Sequence, residues 1–124
     1  MTKTNDILIV DDDDDTRSMV KTVLESNGYT VEEARNGRDA LEKLGTYTPT
    51  VVLLDIMMPE MNGYDVLVQM KQKPNTQNIP VIMLTAKGEP EDLITGYKDY
   101  GVEYYITKPF TTRQLLAGIK LVVG

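Results

Sequence analysis

The sequence predicts an α/β domain with a five-stranded parallel sheet and helices packed on both of its faces. Three observations carry this reading. Short apolar runs recur five times along 124 residues, each too short to be a helix of its own. Segments with apolar residues at helical spacing separate them, so strand and helix patterns alternate strictly. Four of the runs end at residues that bear chemistry: Asp11 and Asp12, Asp55, Thr85, and Lys108. These are the carboxyl ends of the strands, where an open α/β sheet places its ligand crevice.

Ile7-Leu8-Ile9-Val10 is the first buried strand and runs into five consecutive aspartates, Asp11 to Asp15. Helical spacing follows, with Met19, Val20, Val23 and Leu24 on one face and Asn27-Gly28 as the stop. Tyr29-Thr30-Val31 leads through Glu32-Glu33 to Ala34 as the second strand. After the turn at Asn36-Gly37, Ala40, Leu41 and Leu44 mark a short helix closed by Gly45. Pro49 separates it from Val51-Val52-Leu53-Leu54-Asp55, a strand buried on both faces that stops at an acid. Beyond Gly63, Val66, Leu67 and Met70 form a third helical face, broken at Lys73-Pro74-Asn75. Pro80 opens the fourth run, Val81-Ile82-Met83-Leu84, which ends in Thr85-Ala86. A loop from Lys87 to Pro90 precedes a fourth predicted helix carrying Leu93, Ile94 and Tyr97, ended by Gly101. Val102 to Thr107 is the fifth strand, followed by Lys108-Pro109-Phe110. Thr111 or Thr112 caps a fifth predicted helix with Leu115, Leu116, Ile119, Val122 and Val123 on its buried side. Right-handed crossovers joining such units give, at this size, the doubly wound flavodoxin-like (βα)5 order 2-1-3-4-5. Its switch point falls between the first and third strands, the two that end in acids.

Composition narrows the chemistry. Apolar content of 41% and charged content of 26% are those of an ordinary globular protein, and residues 1–124 read as one domain. Without cysteine there are no disulfides, thiol catalysis or Cys-ligated zinc; without histidine there is no imidazole base, ligand or phosphohistidine on this chain. A metal here must be held by oxygen, which points to Mg²⁺, Ca²⁺ or Mn²⁺. The net charge of −6 argues against a direct nucleic-acid surface. No run approaches membrane-spanning length, and the first residues lack a signal-peptide core, so a cytoplasmic protein is expected.

Asp11, Asp12 and Asp55 should converge at the switch point although they lie far apart in sequence. Asp13, Asp14 and Asp15 have a simpler role, as acids in the first turn of a helix. Two like charges ~4 Å apart at an effective dielectric of ~20 repel by about 4 kcal/mol, so three clustered carboxylates hold a proton or recruit a cation. An open, carboxylate-lined mouth suits a hard divalent ion that keeps several waters, as Mg²⁺ does. Thr85 adds a hydroxyl, the small Ala86 leaves access, and Lys108 adds a mobile cation. Pro109 restricts the loop after it, with a cis peptide bond open to it. A strand-end Asp or Thr alone usually caps the next turn, and a single Lys is usually solvated. Together at one sheet edge they suit a dianion beside a metal. A carboxylate can attack phosphorus covalently, and phosphoryl transfer needs mainly positioning and charge neutralisation. Asp55, the central acid, is the candidate nucleophile.

With these residues in view, the chain resembles the receiver domain of bacterial two-component response regulators, of the chemotaxis type, over nearly its whole length. The motifs are Val10-Asp11-Asp12, Leu54-Asp55-Ile56-Met57-Met58-Pro59 with Gly63, Leu84-Thr85-Ala86, and Lys108-Pro109-Phe110. The resemblance implies a phosphoacceptor signalling domain rather than an enzyme, with Asp55 taking a phosphoryl group from a sensor histidine kinase or phosphotransfer protein. It implies Mg²⁺ held by Asp12, Asp55 and the main-chain carbonyl of Met57, with Asp11 acting largely through water. Thr85 and Lys108 would contact the phosphoryl oxygens. Tyr105 matches the aromatic switch position: Thr85 moves toward the phosphate and the ring swings inward. That remodels the face of the fourth helix, fifth strand and fifth helix, through which such domains contact a downstream protein or pair as homodimers. Tyr104 should point to the opposite side of the sheet. Asn62 stands where the family often has an acid. Met57 and Lys87 occupy positions that affect how long the phosphoryl group survives. Because the chain ends just after the fifth predicted helix, a stand-alone receiver is expected, although a receiver excised from a longer regulator would look identical.

Two other readings fit the residues less well. A phosphohydrolase with an aspartyl-phosphate intermediate usually carries a general acid two residues past the nucleophile, where this chain has Met57. A flavin-binding electron carrier of the same fold needs donors after the first strand, where five aspartates would repel a phosphate.

Overall fold

The computed structural model describes residues 6–86 and 101–123. Five strands form one parallel sheet in the order β2-β1-β3-β4-β5. They are β1 (Asp6–Val10), β2 (Thr30–Ala34), β3 (Val51–Asp55), β4 (Val81–Ala86) and β5 (Tyr104–Lys108). Among the described residues there are four helices: α1 (Asp14–Glu25), α2 (Gly37–Leu44), α3 (Gly63–Lys71) and the C-terminal helix α4 (Thr112–Val123). The predicted order 2-1-3-4-5 is the observed one. Lys87 and the predicted helix carrying Leu93, Ile94 and Tyr97 lie outside the described residues.

Side chains alternate across the sheet and make two cores. Leu8, Val10, Val52, Leu54, Val81 and Met83 point to one face, where Ala40 and Leu44 of α2 and Val66, Leu67 and Met70 of α3 cover them. Ile7, Ile9, Val51, Leu53, Ile82, Leu84 and Ile106 point to the other, covered by Val20 and Leu24 of α1 and Leu115 and Ile119 of α4. Burial on both faces explains why β1, β3 and β4 read as continuous apolar runs rather than alternating ones.

Caps set where the helices begin. Asp13 caps α1 by accepting from the Thr16 amide. The same Thr16 hydroxyl and amide hold the Asp13 carboxyl below its ordinary range. Asn62 forms a reciprocal capping box with Asp65 on α3. Thr111 rather than Thr112 caps α4: its hydroxyl accepts from the Gln114 amide at 3.1 Å, and the Gln114 side chain accepts from the Thr111 amide at 2.9 Å. The buried face of α1 differs from the expected one. It consists of Arg17, Val20 and Leu24, while Met19 is 41% exposed. On α4, Leu116, Val122 and Val123 are only partly buried against their core.

Candidate functional site at the carboxyl edge of the sheet

Strand register brings the site together. Val10 pairs with Leu54, so Asp11 emerges from β1 next to the end of β3. Asp55 pairs with Leu84, and Ala86 with Lys108, which carries the edge across β4 to β5. The alternation adds a second constraint. Asp11, Asp55 and Lys108 each stand two residues beyond Ile9, Leu53 and Ile106, side chains of the α1/α4 face. Three strands thus deliver two acids and a lysine to the same side of one edge.

Asp11 is fully buried and Asp55 is 5% exposed. Asp11, Asp12 and Asp55 each offer a carboxylate oxygen, and these oxygens lie within 4.8 Å of one another. The Lys108 ammonium donates to Asp11 Oδ2 at 2.8 Å and stands 3.5 Å from Asp55 Oδ1. The amide of Asp13 donates to Asp11 Oδ1 at 2.9 Å, and that of Met57 reaches Asp55 Oδ1 at 3.4 Å. Burial, and then the charge of Asp11, push the Asp55 carboxyl up to about 6, against the pull of Lys108 and the Met57 amide. For Lys108, burial works against the ammonium, but the hydrogen bond and charge of Asp11, with Asp55 behind it, outweigh burial and hold its pKa above the ordinary lysine value. Among the described residues the pocket is therefore short of positive charge: one ammonium faces three carboxylates. An oxygen-only donor set with excess negative charge and an exposed third member, Asp12, fits a hard divalent cation.

Thr85, the last residue but one of β4 and next to the Asp55 partner Leu84, is buried, its hydroxyl 3.4 Å from the Ala86 carbonyl. It shares its side of β4 with Met83 of the α2/α3 core. Met83 pairs with Tyr105, and Thr85 with Thr107, so Thr85 and Tyr105 belong to the same side of the sheet. Tyr105 is half-buried against that core, with its hydroxyl 3.1 Å from the hydroxyl of Tyr64 on α3. Tyr104 packs on the opposite core, as expected. Met57 is 61% exposed, and the peptide bond between Lys108 and Pro109 is cis.

Two features escaped the sequence reading. Gly63, noted only as a motif residue, packs so tightly under the site that a Cβ on it would lie 2.6 Å from the Asp55 carbonyl oxygen. Arg17 is buried beneath Asp11, with its Nη1 donating to the Asp11 carbonyl at 2.8 Å. Its spacing with Val20 and Leu24, at i, i+3 and i+7, was the available signal.

An open parallel sheet with an acid pocket at its switch point, and a hydroxyl and a lysine on the neighbouring strand ends, suits a phosphoryl-signalling class of domain. The comparisons with known proteins agree. The family model for the response regulator receiver domain matches residues 7–120, and the chain belongs to that family: it is a receiver domain of two-component response regulators. It is 42% identical over 117 residues to the phosphate regulon transcriptional regulatory protein PhoB of Escherichia coli, covering 94% of this chain and 51% of that protein. It is 40% identical over 116 residues to the transcriptional regulatory protein SrrA of Staphylococcus aureus, covering 94% and 46%. The chain thus spans about half the length of the curated relatives it matches. Among solved structures, the chemotaxis protein CheY4 of Vibrio cholerae superposes with a TM-score of 0.91 at 32% identity, covering 97% of this chain and 99% of that one. The signal receiver domain of a histidine kinase from Syntrophus aciditrophicus superposes at 0.87 with 35% identity, covering 97% and 90%. No helix among the described residues is long and apolar enough to cross a membrane.

Proposed function

We propose that Asp55 is the phosphoacceptor of a single receiver unit, residues 1–124, that works in the cytoplasm. The donor is a phosphohistidine on a sensor kinase or phosphotransfer protein. The observation that carries this is the buried Asp55 carboxylate between a pair of further acids and the Lys108 ammonium. In the transfer, an Asp55 oxygen attacks phosphorus, the bond from phosphorus to the imidazole nitrogen breaks, and that nitrogen takes up a proton from solvent. Lys108 leaves Asp11 for a phosphoryl oxygen, and the Thr85 hydroxyl donates to another. Asp12, Asp55 and the Met57 carbonyl would hold Mg²⁺, with Asp11 acting through water. The ion supplies charge neutralisation at the phosphoryl oxygens. Any hydrolysis of the acyl phosphate is the slow self-dephosphorylation of a switch. The exposed Met57 side chain hinders water on that path. Thr85 and Tyr105 then carry the change to the face that includes β5 and α4, where a downstream protein binds or a second copy pairs.

The test is incubation with acetyl phosphate and Mg²⁺, read by intact mass. The wild type should gain one phosphoryl group and Asp55→Asn none. Labelling that persists in Asp55→Asn, or never appears in the wild type, would overturn the assignment.

A further inference from the structure

We propose that Arg17 is a positioning residue for the acidic pocket, setting Asp11 and, through it, the metal-binding carboxylates and Lys108. This rests on the reading of Asp11, Asp12 and Asp55 as a Mg²⁺ site. The starting point is an oddity of α1. Its buried face is Arg17, Val20 and Leu24, and the Arg17 side chain is only 9% exposed. Burying a guanidinium is costly unless each of its donors finds an acceptor, and an aliphatic side chain would cover the same surface without that cost. The three contacts of Arg17 say what an aliphatic chain could not do. Nε faces Glu33 of β2 at 3.3 Å, and Nη2 pairs with Asp14. Nη1 donates to the main-chain carbonyl of Asp11 at 2.8 Å, in a buried setting.

The first two contacts lie toward solvent, since the Glu33 and Asp14 side chains are 34% and 84% exposed. Pairs whose acid stands partly or wholly in solvent contribute less than a buried contact. The third is different. β1 ends at Val10, so Asp11 stands just past the strand. Its amide is held by the Ala34 carbonyl at 3.2 Å, and its carbonyl by Arg17. With the peptide groups on either side of its α-carbon fixed, the side chain is aimed into the pocket, where Oδ1 accepts from Asp13 and Oδ2 from Lys108. None of these three contacts is to the carboxylate of Asp11, Asp12 or Asp55. Arg17 fixes the backbone from which Asp11 and Asp12 project. Groups that orient metal-binding residues in this way are typically worth ~10–100-fold in metal affinity.

Mg²⁺ affinity measured by titration calorimetry separates positioning from plain stability. Arg17→Gln should bind Mg²⁺ ~10–100-fold more weakly than the wild type. Arg17→Lys should be weakened about fivefold, because a compact, strongly hydrated ammonium holds the Asp11 carbonyl less rigidly than the planar guanidinium does. Leu24→Ala, which destabilises the same helix from its core side, should keep wild-type affinity while folded, as should Asp14→Ala. At saturating Mg²⁺ the labelling of the Arg17 variants by acetyl phosphate should return toward the wild-type rate. Folded Arg17→Gln binding within about twofold of wild type would overturn the inference, as would an equal loss in Leu24→Ala. Should Arg17→Gln fail to fold, Arg17→Lys within about twofold of wild type overturns it. A wild type that binds no Mg²⁺ removes the metal site and this inference together. Wild-type binding with unaffected Arg17 variants removes the inference alone.

Discussion

Asp55→Asn, the substitution expected to abolish phosphorylation, should also make the metal-free protein more stable. Asp55 has its carboxyl pushed up to about 6 from 3.8, by burial first and by Asp11 second. The folded protein therefore keeps this proton to a higher pH than the unfolded chain does. Folding takes up a proton between those two values, so stability falls as pH rises through that window and stays low above it. A shift of about two units corresponds to about 3 kcal/mol, and screening by solvent at the open mouth reduces this to about 2 kcal/mol. Asp55→Asn keeps the shape and an acceptor for the Met57 amide but carries no charge to bury. In EDTA at pH 7.5 it should melt roughly 6–10 °C above the wild type, followed by circular dichroism. The gap should narrow as pH is lowered through this window toward 4, where the folded protein has taken up the proton and the unfolded chain is beginning to. Mg²⁺ should raise the wild-type melting temperature and leave the variant nearly unmoved. A variant that melts at or below the wild type at pH 7.5, or a gap that does not change with pH, refutes the reasoning.

Two further predictions concern the support of the pocket. Asp12 is exposed, so Asp12→Asn should change stability by only about 0.5 kcal/mol, yet weaken Mg²⁺ binding at least ~10-fold by calorimetry. Unaltered affinity would remove Asp12 from the metal site. Gly63→Ala forces a Cβ to 2.6 Å from the Asp55 carbonyl, a backbone atom that cannot step aside, and should cost about 2–3 kcal/mol by urea unfolding along with Mg²⁺ affinity. Gly118→Ala is the control: its Cβ would meet the Ile106 and Tyr104 side chains at 2.9 and 3.1 Å and none of the acids, and should lower stability with Mg²⁺ binding unchanged.

The strands were legible because burial on both faces writes itself as apolar runs, and the edge was legible because each run stops at a polar residue. Register then followed from topology: once β1 and β3 are neighbours, Asp11 and Asp55 must meet. The opposite facing of Tyr104 and Tyr105 needed only the alternation of a strand. What stayed hidden was of two kinds. Arg17 carries a charge, and a charge in an amphipathic pattern is read as surface, so Met19 was placed on the buried face instead. The Tyr64–Tyr105 contact joins residues 41 apart in sequence, on a helix and a strand whose distance no local pattern encodes. The perturbed titration of Asp55 needed the depth of the pocket as well as its membership.

The two sides of the sheet carry one more consequence for the switch. Asp11, Asp55 and Lys108 belong by alternation to the α1/α4 side, whereas Thr85 and Tyr105 belong to the α2/α3 side. A phosphoryl group taken up by Asp55, as proposed, would arrive on one side, and the Tyr105 ring proposed to read it sits on the other. Thr85 stands at the strand end between them, one residue past the Asp55 partner Leu84. If Thr85 is the link, Thr85→Ala should still be labelled at Asp55 by acetyl phosphate, because Lys108 and the acids remain. Its Tyr105 ring should no longer respond. With ring-labelled tyrosine, the Tyr105 resonances of the wild type should move on phosphorylation and those of Thr85→Ala should stay within the unphosphorylated positions. Thr85→Ser, which keeps the hydroxyl, should restore the movement. A full Tyr105 response in phosphorylated Thr85→Ala would mean that the signal crosses the sheet edge by another route, and the hydroxyl would then be only a ligand of the phosphoryl group.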